Sequence, residues 1–321
     1  MGATVVIPNY NGERYLKKCL DSLKEQSMKA DEIIIVDNDS KDDSIKIISN
    51  ESCEGINLIR LTSNKGFSVA VNEGIKACKS EFVILLNNDT EIHKDFIYNL
   101  YKTIKSDDNI FACSSKMLRY DNRNIIDDAG DGYTILGWAT KFGDGKSQDK
   151  YNTKREVFSA CAGAAIYRKS VFDQIGYFDE NFFAYLEDLD ISYRARIFGY
   201  KNYYEPSAMV YHIGSATSGS RHNEFKVKLS ARNNIYLIYK NMPIWQIVLN
   251  FIFIFMGILI KLILFSAKGF GKAYIGGLLE GIKSRKKLKK IHIKRNLSNY
   301  IKIEIYLIKD TINLLKRGTI W

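Results

Sequence analysis

Acidic residues gather at two places in this chain where they could do chemistry. The apolar run Phe82-Val83-Ile84-Leu85-Leu86 breaks abruptly into Asn87-Asn88-Asp89, and further on comes Tyr185-Leu186-Glu187-Asp188-Leu189-Asp190, three acids in four positions where a helical pattern begins. A carboxylate at the end of a buried strand is costly to desolvate unless it is solvated or paired, and a divalent cation bridging a diphosphate supplies such pairing. Asp89 is therefore the first candidate metal ligand. In the second cluster Asp188 and Glu187 are placed to offer one carboxylate as a general base, taking a proton from an attacking hydroxyl. Helix capping accounts for that cluster equally well, because acids are stabilised at a helix N-terminus.

A third candidate is His212, which follows the strand-like run Ala208 to Tyr211 and precedes the small-residue loop Ile213 to Gly219. A histidine in that setting can bind a metal or a diphosphate, although a lone histidine is more often structural. His93, His222 and His292 have no such setting. The strand ends Ile7-Pro8-Asn9-Tyr10-Asn11-Gly12 and Val36-Asp37-Asn38-Asp39-Ser40 are rich in turn formers and also suit recognition of a nucleoside, with Asp37 able to accept from a base or ribose.

These residues need a scaffold that brings strand ends together. Thr4 to Ile7, Glu32 to Val36, Ile56 to Leu61 and Phe82 to Leu86 read as strands, alternating with helical stretches Arg14 to Glu25, Asp42 to Ser49 and Ser68 to Cys78. Strand, helix, strand at these spacings means an α/β fold, a mostly parallel sheet flanked by helices. Ligands then bind at the carboxyl ends of the strands, where the candidate residues lie. Aromatic-rich segments follow (Tyr133 to Phe142, Phe158 to Tyr167, Tyr177 to Tyr185), then helical patterns over Leu189 to Phe198 and Glu224 to Tyr239, and such material suits an acceptor pocket. The catalytic domain is expected over residues 1–240.

The 321 residues carry a formal net charge of +11. Ser266 to Trp321 holds 14 Lys/Arg against 3 Asp/Glu, so the tail carries the whole excess and the body is neutral. That basic cluster follows a greasy segment and lacks a nucleic-acid motif, which points to an anionic membrane surface and away from nucleic acid. The five cysteines are scattered without CxxC spacing, implying neither a disulfide framework nor a zinc site. A polar-flanked strand within a few residues of the N-terminus leaves no room for a signal peptide, so the body is expected in the cytoplasm. No P-loop, GxGxxG or Ser-His-Asp order is present, which argues against kinase, dehydrogenase and hydrolase readings.

The ordered set Val6-Ile7-Pro8-Asn9-Tyr10-Asn11-Gly12, Val36-Asp37-Asn38, Asn64-Lys65-Gly66-Phe67 with Asn72 beyond, Leu86-Asn87-Asn88-Asp89, Gly163-Ala164-Ala165, Glu187-Asp188-Leu189-Asp190 and His212 resembles glycosyltransferase family 2, within it the rhamnosyltransferase-like branch. The resemblance spans residues 3 to 215 and implies a GT-A fold and transfer from a nucleotide-diphospho-sugar donor. It implies that Pro8, Asn9 and Asn11 line the nucleotide pocket, that Asp37 contacts the base, and that Asn64 and Gly66 lie beside the nucleotide sugar and diphosphate. Asn87 and Asn88 take the first two positions of the family's Asp-x-Asp metal motif, on the donor side, and Asp89 the last. Asn87 in the first position is a departure that the branch shares. His212 resembles the residue that completes the metal site, for Mg²⁺ or Mn²⁺. Asp188 corresponds to the catalytic base of an inverting displacement, with Glu187 and Asp190 as supports or rivals. Rhamnose from a dTDP donor is the branch-level expectation, with UDP-hexoses next.

Ile247 to Phe265 has a single charge, Lys261, and is long enough to span a bilayer, which takes about 18 residues or more. A single span would place the basic tail outside, against the positive-inside tendency. The expectation is therefore a helix in the cytoplasmic leaflet with residues 241–321 as a membrane-associating extension, Tyr300 to Leu315 forming a second interfacial helix. Packing on the body or an oligomer interface is the alternative. A lipid-linked saccharide or polysaccharide acceptor fits that geometry. A sugar nucleotidyltransferase and a non-catalytic nucleotide-sugar-binding membrane scaffold are the rival functions.

Overall fold

The computed structural model describes residues 2–50, 55–214, 223–291 and 296–316. The loop Ser215 to Gly219, His222 and His292 lie outside them. In chain order the elements are β1 (Ala3–Asn9), α1 (Leu16–Lys24), β2 (Glu32–Asp37), α2 (Ser44–Asn50), β3 (Ile56–Arg60), α3 (Phe67–Ala77), β4 (Phe82–Leu86), β5 (Thr90–Ile92), α4 (Phe96–Lys105), β6 (Ile110–Arg119) and β7 (Ile126–Asp128). There follow β8 (Asp131–Tyr133), β9 (Ala139–Lys141), β10 (Arg155–Val157), β11 (Ala164–Arg168), α5 (Lys169–Ile175), α6 (Glu187–Ile197), β12 (Lys201–His212), α7 (Glu224–Asn241), α8 (Ile244–Ala267), α9 (Gly271–Ser284) and α10 (Leu297–Lys316).

The main sheet runs β10-β12-β6-β11-β4-β1-β2-β3. Its β4-β1-β2-β3 half is parallel, whereas β11 lies antiparallel between β4 and β6. Alternation along each strand explains why helices cover both faces. Val5 and Ile7 of β1 point with Ile35, Ile84 and Leu86 toward α1 and α4, while Val6 points with Ile34, Val83 and Leu85 toward α3, α5 and α6. All nine are fully buried, and burying such a side chain contributes roughly 1.5–3 kcal/mol.

Strand β6 is absent from the sequence-based expectation, and its composition says why. Ser114, Ser115 and Lys116 interrupt the apolar run yet are all buried. Ser115 is accommodated by donating its hydroxyl to Ala164 O (2.8 Å). The aromatic-rich segment Tyr133 to Phe142 holds the turn and the second strand of the two-stranded hairpin β8–β9.

A third core cluster joins Phe158, Leu189 and Tyr193 to Tyr236 and Leu237 of α7 and to Tyr300, Ile303 and Leu307 of α10. The C-terminal helices therefore share packing with the α6 side of the sheet. Helix α8 is the one described helix long and apolar enough to cross a membrane.

Candidate active site

At the strand ends a chain of side-chain amides ties β1, β2 and β4 together. Asn88 Nδ2 donates to Asn9 Oδ1 (2.7 Å), and Asn9 Nδ2 donates to Asp37 Oδ1 (3.0 Å) and Ser40 Oγ (3.1 Å). Asp37 Oδ2 accepts from the Ser40 amide (3.1 Å). All three of Asn9, Asp37 and Asn88 are buried, so this network sets the shape of the pocket floor. Pro8 pairs in register with Val36, one step before Asn9 and Asp37. Asn11, at φ 51°, accepts from the Lys41 amide (2.8 Å) beside a cavity of about 380 Å³ lined by Asn11, Arg14 and Lys41. On the other flank Asn38 Nδ2 donates to Asn64 Oδ1 (3.0 Å) and Gly66 O (3.1 Å).

Gly66 is required by its backbone. It sits at φ 87°, and a Cβ there would lie 2.5 Å from Phe183 O. That oxygen accepts from the Phe67 amide (2.6 Å), which fastens the loop at Gly66 to the turn before α6. The turn is itself strained, with Phe183, Tyr185 and Leu186 all at positive φ. Asn233 of α7 holds it there, its Nδ2 donating to the carbonyls of Phe182, Ala184 and Tyr185 (2.7–2.9 Å).

Pairing of β12 with β5 sets His212 opposite Thr90, so His212 meets Asp89 despite their separation in sequence. His212 Nε2 lies 3.3 Å from Asp89 Oδ1, and His212 Nδ1 donates to Asp127 Oδ2 (2.7 Å). With its Nδ1 proton given to Asp127, a neutral imidazole turns a lone pair toward the Asp89 oxygen, and only a proton or a metal cation relieves that repulsion. Burial lowers the pKa of His212, but Asp127 and Asp89 outweigh it and raise the value to about 9. A carboxylate oxygen and an imidazole nitrogen at this spacing, backed by a second carboxylate, fit a divalent cation.

The second cluster separates into three roles. Asp190 is fully buried and engaged by Arg194 (2.9 Å), Lys240 (2.9 Å) and Asn241 (2.7 Å), which against the effect of burial hold its pKa down. Glu187 is buried with its Oε2 unpartnered among the described residues, and burial, then the Asp188 charge, push its pKa well up. Asp188 is half-buried and keeps its carboxylate at the head of α6, accepting from the amides of Leu189 (2.7 Å) and Ala162 (3.5 Å). Burial raises its pKa against those two bonds and the charge of Lys141.

Around Asp188 lie groups that the sequence reading passed over. The β7–β8 corner brings Asp128 and Asp131 within 4.8 Å of Cys161, and Lys141 Nζ lies 3.6 Å from Asp127 Oδ1 and 4.0 Å from Asp128 Oδ2. Burial and mutual repulsion raise the pKa of Asp131, while Asp128 rises to about 6 despite Lys141. Lys141 thus stands between the Asp89–His212–Asp127 row and the acids beside Asp188. The two regions also meet along the backbone, since the Asn87 amide donates to Gly163 O (2.8 Å), one residue from Ala162. Asn87 and Asp89 are therefore linked to Asp188 through the Ala162–Gly163 backbone, His212 is linked toward it through Asp127 and Lys141, and Asn88 joins them to the Asn9–Asp37 network.

The family described as "Glycosyl transferase family 2" matches residues 4–176, more than half of the chain. A poly-beta-1,6-N-acetyl-D-glucosamine synthase of Staphylococcus aureus is 27% identical over 224 residues, covering 68% of this chain and 51% of the relative. The chain spans about half the length of that synthase. Among solved structures, GalNAc-T7 with UDP, GalNAc and Mn²⁺ superposes with a TM-score of 0.61 at 17% identity, over 74% of this chain and 47% of the other. Mannosyltransferase PcManGT from Pyrobaculum calidifontis, in complex with GDP-Man and Mn²⁺, has a TM-score of 0.54 at 16% identity and covers 98% of this chain and 86% of its own. These likenesses bear out the GT-A fold.

Proposed function

The chain belongs to glycosyl transferase family 2, and on that premise we propose that it transfers a sugar from a nucleotide-diphospho-sugar to a saccharide acceptor in glycan assembly, with inversion. The observation that supports this is the contact of His212 with Asp89, linked to Asp188 through the Ala162–Gly163 backbone and Lys141. Asp188 is the base: it is the half-buried carboxylate of its cluster, placed to take the proton of an attacking hydroxyl. Glu187 and Asp190 support it, Glu187 as a buried neighbour in the same helix turn and Asp190 as the anchor of α6 on α7. Pro8, Asn9, Asn11, Asp37, Asn64, Gly66, Asn87 and Asn88 shape the donor side.

Asp89 Oδ1 and His212 Nε2 would hold Mg²⁺ or Mn²⁺, with Asp127 fixing the imidazole tautomer. A cation bound there offsets charge on the departing diphosphate. Lys141 brings a further positive charge to the same residues and keeps Asp127 ionised. General-base assistance of this kind contributes about 10²–10⁴-fold in rate.

The finer reading keeps the branch-level expectation of rhamnose from a dTDP donor, followed by UDP-hexoses. It places the acceptor, a lipid-linked saccharide or polysaccharide, at the cytoplasmic membrane face, with residues 1–240 as the catalytic unit and 241–321 as the membrane-associating extension. The supporting observations are the exposed apolar face of α8 and the basic tail. A thermal-shift and donor-hydrolysis screen against dTDP-, UDP- and GDP-sugars, with and without Mn²⁺, tests the assignment. One nucleotide class stabilising the protein only with metal is the expected outcome. No shift under any condition would overturn the donor site, and a nucleotide shift without donor hydrolysis would leave a non-catalytic nucleotide-sugar-binding scaffold as the better reading.

A further inference from the structure

Helix α8 is strongly apolar, yet one face of it is fastened to the body. Gln246, Asn250, Ile254, Gly257 and Lys261 recur at helical spacing. Tyr193 Oη of α6 donates to Gln246 Oε1 (2.7 Å), while Gln246 Nε2 and Asn250 Nδ2 donate to the two carboxylate oxygens of Glu304 on α10 (2.6 and 2.9 Å). Trp138 Nε1, between β8 and β9, donates to Gly257 O (3.1 Å), an approach so close that a Cβ at residue 257 would lie 2.3 Å from Leu136 O. Lys261 Nζ lies 5.4 Å from the centre of the Trp138 ring. The opposite face is bare: Val248, Phe251, Ile252, Phe255, Met256 and Ile263 are 48% to 69% exposed.

These ties are incompatible with a simple crossing. From Gln246 to Lys261 the helix runs ~22 Å along the body, and the rest of it, to Ala267, adds only ~9 Å, against a hydrocarbon core of about 30 Å. Crossing would carry Glu304 and its amide partners into hydrocarbon. Charge indicates what covers the bare face. Helix α9 packs on α8 through Tyr274 and Phe265, and its end bears the exposed Lys283, Lys286, Lys287, Lys289 and Lys290, a cluster suited to anionic headgroups.

The same helices hold the hairpin β8–β9. Besides the Trp138 bond to α8, the Tyr133 amide donates to Asp310 Oδ2 (3.1 Å) and the Ile135 amide to Thr311 Oγ1 (3.0 Å), both on α10. Asp131 begins that hairpin and Lys141 ends it, and both belong to the cluster around Asp188.

We infer that α8 lies flat on an anionic leaflet and that this docking, passed through Trp138, Asp310 and Thr311, fixes the hairpin bearing Asp131 and Lys141. Calling that the acceptor side of the site rests on the glycosyl-transfer reading; docking and coupling themselves are measured without turnover. The full chain is floated with phosphatidylcholine vesicles with and without phosphatidylglycerol, and backbone amide exchange is followed on the bound protein. Binding should be at least about tenfold tighter with the anionic lipid and should weaken by at least that factor when Lys286, Lys287, Lys289 and Lys290 are changed to Gln. Exchange should slow in α8 and also in residues 131–141. Trp138→Phe and, separately, Thr311→Val should bind vesicles within about twofold of the parent yet lose part of the slowing in 131–141, which ties that slowing to the contacts named. Nitroxides at positions 248, 255 and 263 should report one shallow depth. A depth rising steadily from 248 to 263 would overturn flat docking, and unaltered exchange in 131–141 on bound protein would overturn the coupling. Self-association without vesicle binding would overturn both and make the face a contact between copies. Metal-dependent stabilisation by a nucleotide in any of these cases keeps the transfer reading separate.

Discussion

Removing Asp127 tests how the proposed metal site is built. The Asp127 carboxylate accepts the Nδ1 proton of His212 at 2.7 Å, which aims Nε2 at Asp89 Oδ1 3.3 Å away. Asp127→Ala leaves the imidazole free to turn and to exchange tautomers, while Asp89 and His212 both remain. Loss of a carboxylate behind a liganding histidine typically costs 10–100-fold in metal affinity, about 1.4–2.7 kcal/mol. Asp127→Ala also removes the pairing of Asp127 with His212 and Lys141, so the melting temperature without metal should fall, and metal affinity is compared at a temperature where both proteins are folded. The dissociation constant for Mn²⁺, read from the paramagnetic signal of free Mn²⁺ in the presence of the nucleoside diphosphate, should rise by about 10–100-fold. Asp127→Asn should rise less, because its amide oxygen still accepts the Nδ1 proton. Turnover of Asp127→Ala at saturating Mn²⁺ should recover to near the parent. An Mn²⁺ constant within about threefold of the parent in Asp127→Ala would refute the reasoning, since His212 would then not be a ligand held in this way.

Other consequences follow from the same arrangement. Gly66→Ala places a side chain at φ 87° and 2.5 Å from Phe183 O, so denaturant unfolding should show a loss of about 1–3 kcal/mol with weakened donor binding; an unchanged midpoint would mean that the loop yields freely. Glu187 holds a proton in the folded protein that the unfolded chain releases in the ordinary carboxylate range, so its contribution to stability falls as pH rises from about 4.3 toward its raised value. Glu187→Gln should therefore raise the melting temperature at pH 8 by more than at pH 5, and equal changes would contradict the burial argument. Because burial raises the pKa of Asp188, the acid limb of kcat should fall above the ordinary carboxylate range of about 4 and vary with Lys141→Met, which removes a charge that lowers that pKa and so moves the limb to higher pH.

Much of the strand-end network proposed as the donor side was legible because its signals are local. β-branched runs marked β1 to β4, and polar residues at their ends marked Asn9, Asp37 and Asp89. Asp188 was legible as one of three clustered acids, though only the folded contacts distinguish it: Asp190 is taken by Arg194, Lys240 and Asn241, and Glu187 is enclosed. What escaped was mostly non-local. Strand β6 hides behind buried Ser114, Ser115 and Lys116, Lys141 reaches Asp127 and Asp128 only through a hairpin, and Asn233 meets its turn from α7. Asp127, Asp128 and Asp131 are the exception. Three acids in five positions beside Gly130 are nearly as dense as Glu187 to Asp190, and that signal could have been read.

The central claim is that Asp188 acts in the chemical step and not in holding the donor. Once the nucleotide screen has identified the donor, single-turnover sugar transfer or release by Asp188→Asn should be compared with its metal-dependent thermal stabilisation by that donor. A rate lower by about 10²–10⁴-fold with stabilisation unchanged is the result expected. A rate within about threefold of the parent, or a loss of stabilisation equal to the loss of rate, would contradict the assignment of Asp188 as the base.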